Sequence, residues 1–120
     1  MKELAGVKFT EMKSKFYAHL YEIDSPSVID PILKEHRKRY KKANHHCYAI
    51  RFKGEQIHKD DGEVGHPGKV LTEVLAKHKL DSHALIISRI FGGVKLGVGG
   101  VSRAFRQAGE GAVELYLRSR

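Results

Sequence analysis

The most constraining feature of this sequence is a cluster of five glycines between Gly92 and Gly100, soon after the apolar run Ala84–Ile87. A continuous apolar run of this length is typical of a strand that is buried on both faces. Glycine has no side chain, so its backbone reaches positive φ and approaches neighbouring groups closely. The chain must therefore leave a buried strand through a tight, glycine-rich loop. Apolar residues at helical spacing then predict a final helix from Val101 onward.

Hydrophobic periodicity predicts the other elements. Alternating side chains predict strands over residues 15–23 and 46–53, and Gly54 turns the second of these into a hairpin with residues 55–58. Helical spacing predicts helices over residues 32–42 and from Pro67 onward. The predicted order is βαββαβα, an α+β arrangement.

Size and composition indicate one globular domain over residues 1–120. The chain has 120 residues, of which 41% are hydrophobic and 30% charged, as in a folded protein. No apolar run reaches the roughly 20 residues of a membrane span, and residues 1–16 lack the apolar core of a signal peptide. The single cysteine, Cys47, excludes an internal disulfide. We therefore expect a cytoplasmic protein without membrane contact.

The chain is strongly basic. Its 22 Lys and Arg residues against 14 Asp and Glu give a formal net charge of +8. Such an excess favours polyanionic partners such as RNA, the ribosome or acidic protein surfaces. The alternative is a soluble protein whose charge has no specific partner.

Residues 36–42 contain five of these cations. On the predicted helix, one exposed stripe would carry Lys34, Arg37, Lys38 and Lys41. A stripe of this kind can follow a row of phosphates, and each contact adds a salt-sensitive contribution. A solvated helix face is the alternative.

The glycine loop is a second candidate for anion binding, because backbone N–H groups and the dipole of the following helix favour negative charge. The residues concerned are Arg89, Gly92, Gly93, Lys95, Gly97, Gly99, Gly100 and Arg103. The loop matches neither the dinucleotide-binding fingerprint nor the Gly-Lys-Ser/Thr phosphate-binding loop of nucleoside triphosphatases. The alternative is a tight connection that needs positive φ and close packing.

The acidic motif Asp60-Asp61-Gly62-Glu63 has the residue types of a turn. Its carboxylates are expected to pair with Arg89 or Arg103 and to hold the glycine loop in place. With His46 and Cys47 the motif also suggests a metal site or a cysteine nucleophile. Adjacent strand residues point to opposite faces, so His46 and Cys47 cannot both face one ion without a bulge. We expect no metal, no cofactor and no catalytic residues here.

These motifs resemble the YigZ/IMPACT family over about residues 10–117. The matching stretches are Ser14-Lys15-Phe16, Asn44-His45-His46-Cys47-Tyr48-Ala49, Asp60-Asp61-Gly62-Glu63 and the long segment Ser88–Ala104. The resemblance implies an α+β fold like the second domain of certain ribosomal proteins and domain IV of elongation factor G. In that fold a mixed sheet carries its helices on one face.

The resemblance also implies a link to translation. Bacterial members carry an added ferredoxin-like module. Eukaryotic members carry an N-terminal interaction domain and restrain a translation-control kinase by competing for its ribosome-associated activator. We expect this chain to be the shared domain alone. It departs from the family at Val64–Gly68, where members usually have a longer Pro-Ser-Gly-Thr-Ala-Gly-like segment, so no role of those hydroxyl groups transfers to it.

The leading hypothesis is a non-enzymatic binding domain that contacts RNA, the ribosome or a ribosome-associated protein. An alternative is a small phosphate- or nucleotide-binding enzyme that uses the glycine loop, with Asp61 and Glu63 as metal or acid/base groups. A third interpretation is a protein-interaction module whose basic surface keeps it soluble.

Overall fold

The computed structural model describes all 120 residues, and its first element is a β-hairpin formed by β1 (Lys2–Glu11) and β2 (Ser14–Glu22). The two turn residues, Met12 and Lys13, have φ values of 45° and 68°. Positive φ at both positions matches the twist of the flanking strands. The alternation of residues 15–23 predicts β2, but the sequence gives no turn signal ahead of it, and β1 was not predicted, because neither turn residue is the asparagine, aspartate or glycine by which such turns are recognised.

The elements after β2 follow the predicted order, so the α+β class is confirmed. A short 3₁₀ turn (Pro26–Val28) leads into the first helix. The bounds are α1 Ile29–Arg39, β3 His45–Phe52, β4 Glu55–Lys59, α2 Pro67–Lys77, β5 His83–Ile90 and α3 Gly97–Ser119. Some helix boundaries differ from prediction: α1 runs from Ile29 to Arg39 instead of over residues 32–42, and α3 begins at Gly97, ahead of Val101.

The five strands form one sheet in the order β1-β2-β5-β3-β4, and every neighbouring pair is antiparallel. The expectation of a mixed sheet is therefore wrong. Strands β2 and β3 run in the same direction, but β5 lies between them and pairs antiparallel with both.

Helices cover both faces of the sheet, which corrects the expectation that all of them pack on one face. The larger core lies under α2 and α3 and contains Phe16, Leu85 and Phe105. A second core lies under α1 and contains Ile32 and Ile86. Side chains alternate along β5, so its apolar run Ala84–Ile87 needs cover on both faces of the sheet. None of the helices is long and apolar enough to cross a membrane.

Candidate nucleic-acid interface

The glycine loop and the acidic motif lie together at one end of the sheet. Strand β2 begins there, β5 ends there and β3 begins there, since Lys15 pairs with Ile90 and His45 pairs with Arg89. The glycine loop leaves β5 at this end, and the acidic motif follows β4 beside it. We call this region the motif end, and it comprises residues 12–15, 44–46, 60–66 and 89–103.

Arg89 lies inside the motif end and is only 6% exposed. Its Nη1 donates a hydrogen bond to the carboxylate of Glu63 at 2.9 Å, and the Glu63 side chain is 4% exposed. His45 Nε2 lies 3.6 Å from the same carboxylate oxygen. This is the ion pair that the structural interpretation of the acidic motif predicted. The Arg89 guanidinium is thus occupied within the fold and supports the glycine loop from inside.

The two aspartates of the acidic motif accept hydrogen bonds from backbone N–H groups of the same chain. Asp60 accepts a hydrogen bond from the N–H of Gly68 in the first turn of α2, at 2.8 Å. Asp61 accepts one from the N–H of His46, also at 2.8 Å. With Glu63 bound to Arg89, the carboxylates required by the enzymatic alternative are all engaged in structural contacts.

Glycine occupies the positions of this loop for different structural reasons. A Cβ at Gly92 would lie 2.1 Å from the carbonyl group of Lys13, so this position admits no side chain. Gly93 and Gly97 have φ values of +90° and +75°, which favour glycine. Gly99 and Gly100 lie in the first turn of α3 and do not have positive φ. Close packing therefore explains Gly92, and backbone conformation explains Gly93 and Gly97.

The segment Val64–Gly68 packs against the start of α3. The Gly65 carbonyl accepts a hydrogen bond from the Ser102 hydroxyl. A Cβ at Gly65 would lie 2.8 Å from Ser102 Oγ and 2.9 Å from the Val98 carbonyl oxygen. This contact joins the acidic motif to the glycine loop.

Lys95 and Arg103 lie on the surface of the motif end. Both are exposed, and neither forms an ion pair. Arg103 lines a depression of about 250 Å³ together with Met12 and Leu96. These two cations are free to meet an anionic partner.

The cations of α1 are exposed on the side of the molecule where α1 covers the sheet, opposite α2 and α3. Lys34, Arg37 and Lys38 lie on the helix as predicted and form no ion pair. Lys41 does not continue this stripe, because Tyr40, with φ of −114° and ψ of 63°, ends the helix. Lys41 is instead exposed in the turn that follows.

Three histidines form a buried polar layer beneath α1. His36 Nδ1 and His46 Nδ1 lie 2.8 Å and 2.7 Å from the hydroxyl oxygen of Ser88. His19 Nδ1 lies 2.6 Å from the carboxylate of Glu3. Burial lowers the pKa of all three imidazoles, and that of His36 falls to about 3 because His19, His46 and Arg39 also oppose its charge. At neutral pH this layer is therefore uncharged.

His46 and Cys47 face opposite sides of the sheet, as strand alternation predicts. His46 belongs to the polar layer, whereas Cys47 is fully buried in the core under α2 and α3. Burial raises the pKa of the Cys47 thiol, and its Sγ donates to the Asp60 carbonyl oxygen at 3.1 Å. The chain contains no group of three or more His, Cys, Asp or Glu side chains arranged to hold a metal ion.

One contact near the α1 cations has no signal in the sequence, and it is the stacking of Tyr17, on β2, against Tyr40. Its ring stacks on the ring of Tyr40 with centroids 4.4 Å apart and an interplanar angle of 21°. The alternation of β2 indicated that Tyr17, His19 and Tyr21 share one face, but only the antiparallel sheet order places that face beside the end of α1.

The model of the Impact N-terminal domain matches residues 12–113 of the chain. The chain is 34% identical to the IMPACT family member YvyE of Bacillus subtilis over 110 residues, which cover 88% of this chain and 50% of that protein. It is also 34% identical to the protein IMPACT homolog of Caenorhabditis elegans over 77% of this chain and 39% of that protein. The chain thus spans half or less of the length of these two relatives.

Two solved structures share the fold. One, described as the crystal structure of a hypothetical protein, has a TM-score of 0.85 and 24% identity, and the match covers 92% of this chain and 56% of that one. The other, described as the two-domain translational regulator Yih1, has a TM-score of 0.57 and 21% identity over 97% of this chain and 46% of that one.

Proposed function

Because the chain belongs to the IMPACT family, we propose that it is a binding domain linked to translation, which contacts RNA, the ribosome or a ribosome-bound protein. The surface in question is basic and has two parts. One is the exposed side of the motif end, and the other is the outer side of α1 with the turn that follows it.

The observation that carries this proposal is the unpaired positive charge on that surface. Its cations are exposed, and none forms an ion pair with a carboxylate. They are Lys34, Arg37, Lys38, Lys41, Lys95 and Arg103. Unpaired surface cations attract phosphates at long range and release counterions on contact. Arg89 is not part of this surface, because Glu63 neutralises it inside the fold.

The link to translation is supported by the relatives. The chain shares its fold with Yih1, which is described as a translational regulator. A basic surface on such a domain fits RNA or a ribosomal surface better than a neutral ligand. The chain spans half or less of the length of these relatives. The proposal therefore concerns only what this domain does by itself.

Charge reversal at the motif end tests the proposal. We expect Lys95→Glu combined with Arg103→Glu to weaken binding to labelled RNA by about tenfold or more at low salt, because two phosphate contacts become repulsive. The matched control is Lys79→Glu combined with Arg118→Glu, which changes the net charge equally at two exposed positions. Lys79 lies just before the start of β5 and Arg118 near the end of α3, whereas the motif end lies at the end of β5 and the start of α3. Equal affinity of the test variant and the control in a filter-binding assay would contradict the placement of the binding surface.

A further inference from the structure

Two depressions meet at the stacked pair Tyr17 and Tyr40, between β1 and the end of α1. One has a volume of about 380 Å³ and lies on the β1 side. The other has a volume of about 610 Å³ and extends along the turn after α1 to Ile90. Both include Tyr17, Arg39 and Tyr40. We call these two adjoining depressions together the tyrosine groove.

The floor of the tyrosine groove is aromatic and fixed. The hydroxyl of Tyr40 lies 2.6 Å from His19 Nε2, and Tyr40 is 7% exposed. Tyr17 stacks on this immobilised ring and remains partly exposed. The Tyr17 hydroxyl forms no hydrogen bond to another side chain or to the backbone, and the aromatic partner of its ring is Tyr40. The groove thus presents a pre-oriented aromatic ring at its centre.

The rim of the groove is cationic. The lining cations are Lys8, Lys38, Arg39, Lys41 and Lys42. All five are exposed, and none forms an ion pair. Lys8 lies directly opposite Tyr17 in the β1–β2 register. The one carboxylate in the lining, Glu3, bonds to His19.

We propose that the tyrosine groove binds single-stranded RNA, with a base stacked on Tyr17 and the phosphates along the cationic rim. This inference rests on the proposed function and names the form of RNA and the place where it binds. A partly exposed aromatic ring bordered by unpaired cations is suited to unpaired bases, because every base has a face that stacks. The bases of a duplex are already stacked on each other and give Tyr17 no partner, so the same groove distinguishes single strands from duplexes.

The experiment compares a fluorescent single-stranded RNA oligonucleotide with a duplex of the same length, using anisotropy at low salt. Tyr17→Leu keeps an apolar side chain but removes stacking, so we expect it to weaken binding of the single strand by about tenfold. Tyr17→Phe keeps the ring and should bind like the wild type. Lys38→Glu with Lys42→Glu removes two rim cations, and we expect a loss at least as large. Lys79→Glu with Arg118→Glu again serves as the charge-matched control.

The outcomes separate this inference from the proposed function. Preference of the wild type for the single strand, lost in Tyr17→Leu and in the rim variant but not in Tyr17→Phe, supports the groove. Wild-type binding that these variants leave unchanged would overturn the groove and leave the proposed function intact. Absence of RNA binding by the wild type would overturn the groove and the RNA part of the proposed function. If Tyr17→Leu does not fold, the rim variant and its control decide.

Discussion

Arg89 and Glu63 form the ion pair with the most deeply buried partners in the chain, with side chains 7% and 4% exposed. The sequence showed that the acidic motif had candidate arginine partners, but it did not show that Arg89 would be enclosed. Enclosure arises because β5 lies in the middle of the sheet while the glycine loop and the acidic motif close over its end. A residue that looks like a surface cation in the sequence therefore acts as an internal support.

Removing one partner of this pair leaves an uncompensated buried charge. We expect Glu63→Gln to destabilise the fold by about 3–5 kcal/mol, measured as a lower midpoint of urea unfolding. Glu73→Gln is the matched control, because it breaks the Arg106–Glu73 pair, whose side chains are 47% and 48% exposed. That exposed pair should contribute only about 0–1 kcal/mol. Similar midpoints for the two variants would contradict the structural role of Glu63.

The buried histidines predict how stability depends on pH. The pKa of His36 is about 3 in the folded protein, and burial lowers those of His19 and His46 as well, whereas an unfolded chain titrates near 6.5. Between these values the unfolded state binds more protons, so stability is full above about pH 6.5 and falls as the pH decreases toward the folded pKa values. Each unit of pKa difference corresponds to about 1.4 kcal/mol.

Thermal unfolding between pH 7 and pH 4 measures this effect. We expect the melting temperature of the wild type to fall over this range and that of His36→Gln to fall less, since glutamine retains hydrogen-bonding capacity but does not titrate. His58→Gln, at an exposed position on β4, should behave like the wild type. Identical pH profiles for His36→Gln and the wild type would show that His36 does not titrate differently on unfolding.

Among the structural elements, the glycine loop contains one glycine that close packing requires, Gly92, and one that it does not, Gly99. Gly92→Ala would force a Cβ to within 2.1 Å of the Lys13 carbonyl, so the β1–β2 turn must move away from the end of β5. We expect a destabilisation of about 1–3 kcal/mol or more. At Gly99 a Cβ meets only the flexible Arg103 side chain, at 3.3 Å, so Gly99→Ala should leave stability unchanged or slightly higher. Equal losses in chemical denaturation would contradict this explanation of the loop.

Elements that are determined by neighbouring residues in the sequence could be predicted, whereas features that depend on the arrangement of the strands could not. The hairpin around Gly54 and the helix that starts at Pro67 follow from turn chemistry and periodicity, and both are confirmed. Strand β1 was missed because its turn, Met12 and Lys13, adopts positive φ without the usual residue types. The side of the sheet that α1 covers depends on the strand order, which no local pattern encodes. For the same reason Tyr17 beside Tyr40 was not predicted.

On the scale of the whole molecule, the cations behind the net charge of +8 lie in different environments. Arg89 is neutralised inside the fold, whereas the cations of the motif end and of α1 remain unpaired on the surface. The two parts of this basic surface flank the same end of the sheet, since the tyrosine groove reaches Ile90, where the glycine loop begins. A polyanion that extends over this end can contact both parts at once.

The most direct test of this account is the binding of the purified protein to labelled RNA and to isolated ribosomes across a series of salt concentrations. For single-stranded RNA the logarithm of the binding constant should fall linearly with the logarithm of the salt concentration, with a slope of about 0.7 per phosphate contact. We expect a slope that corresponds to several contacts, and tighter binding to ribosomes than to generic RNA. Absence of binding to either at low salt, or binding that does not depend on salt, would contradict the account.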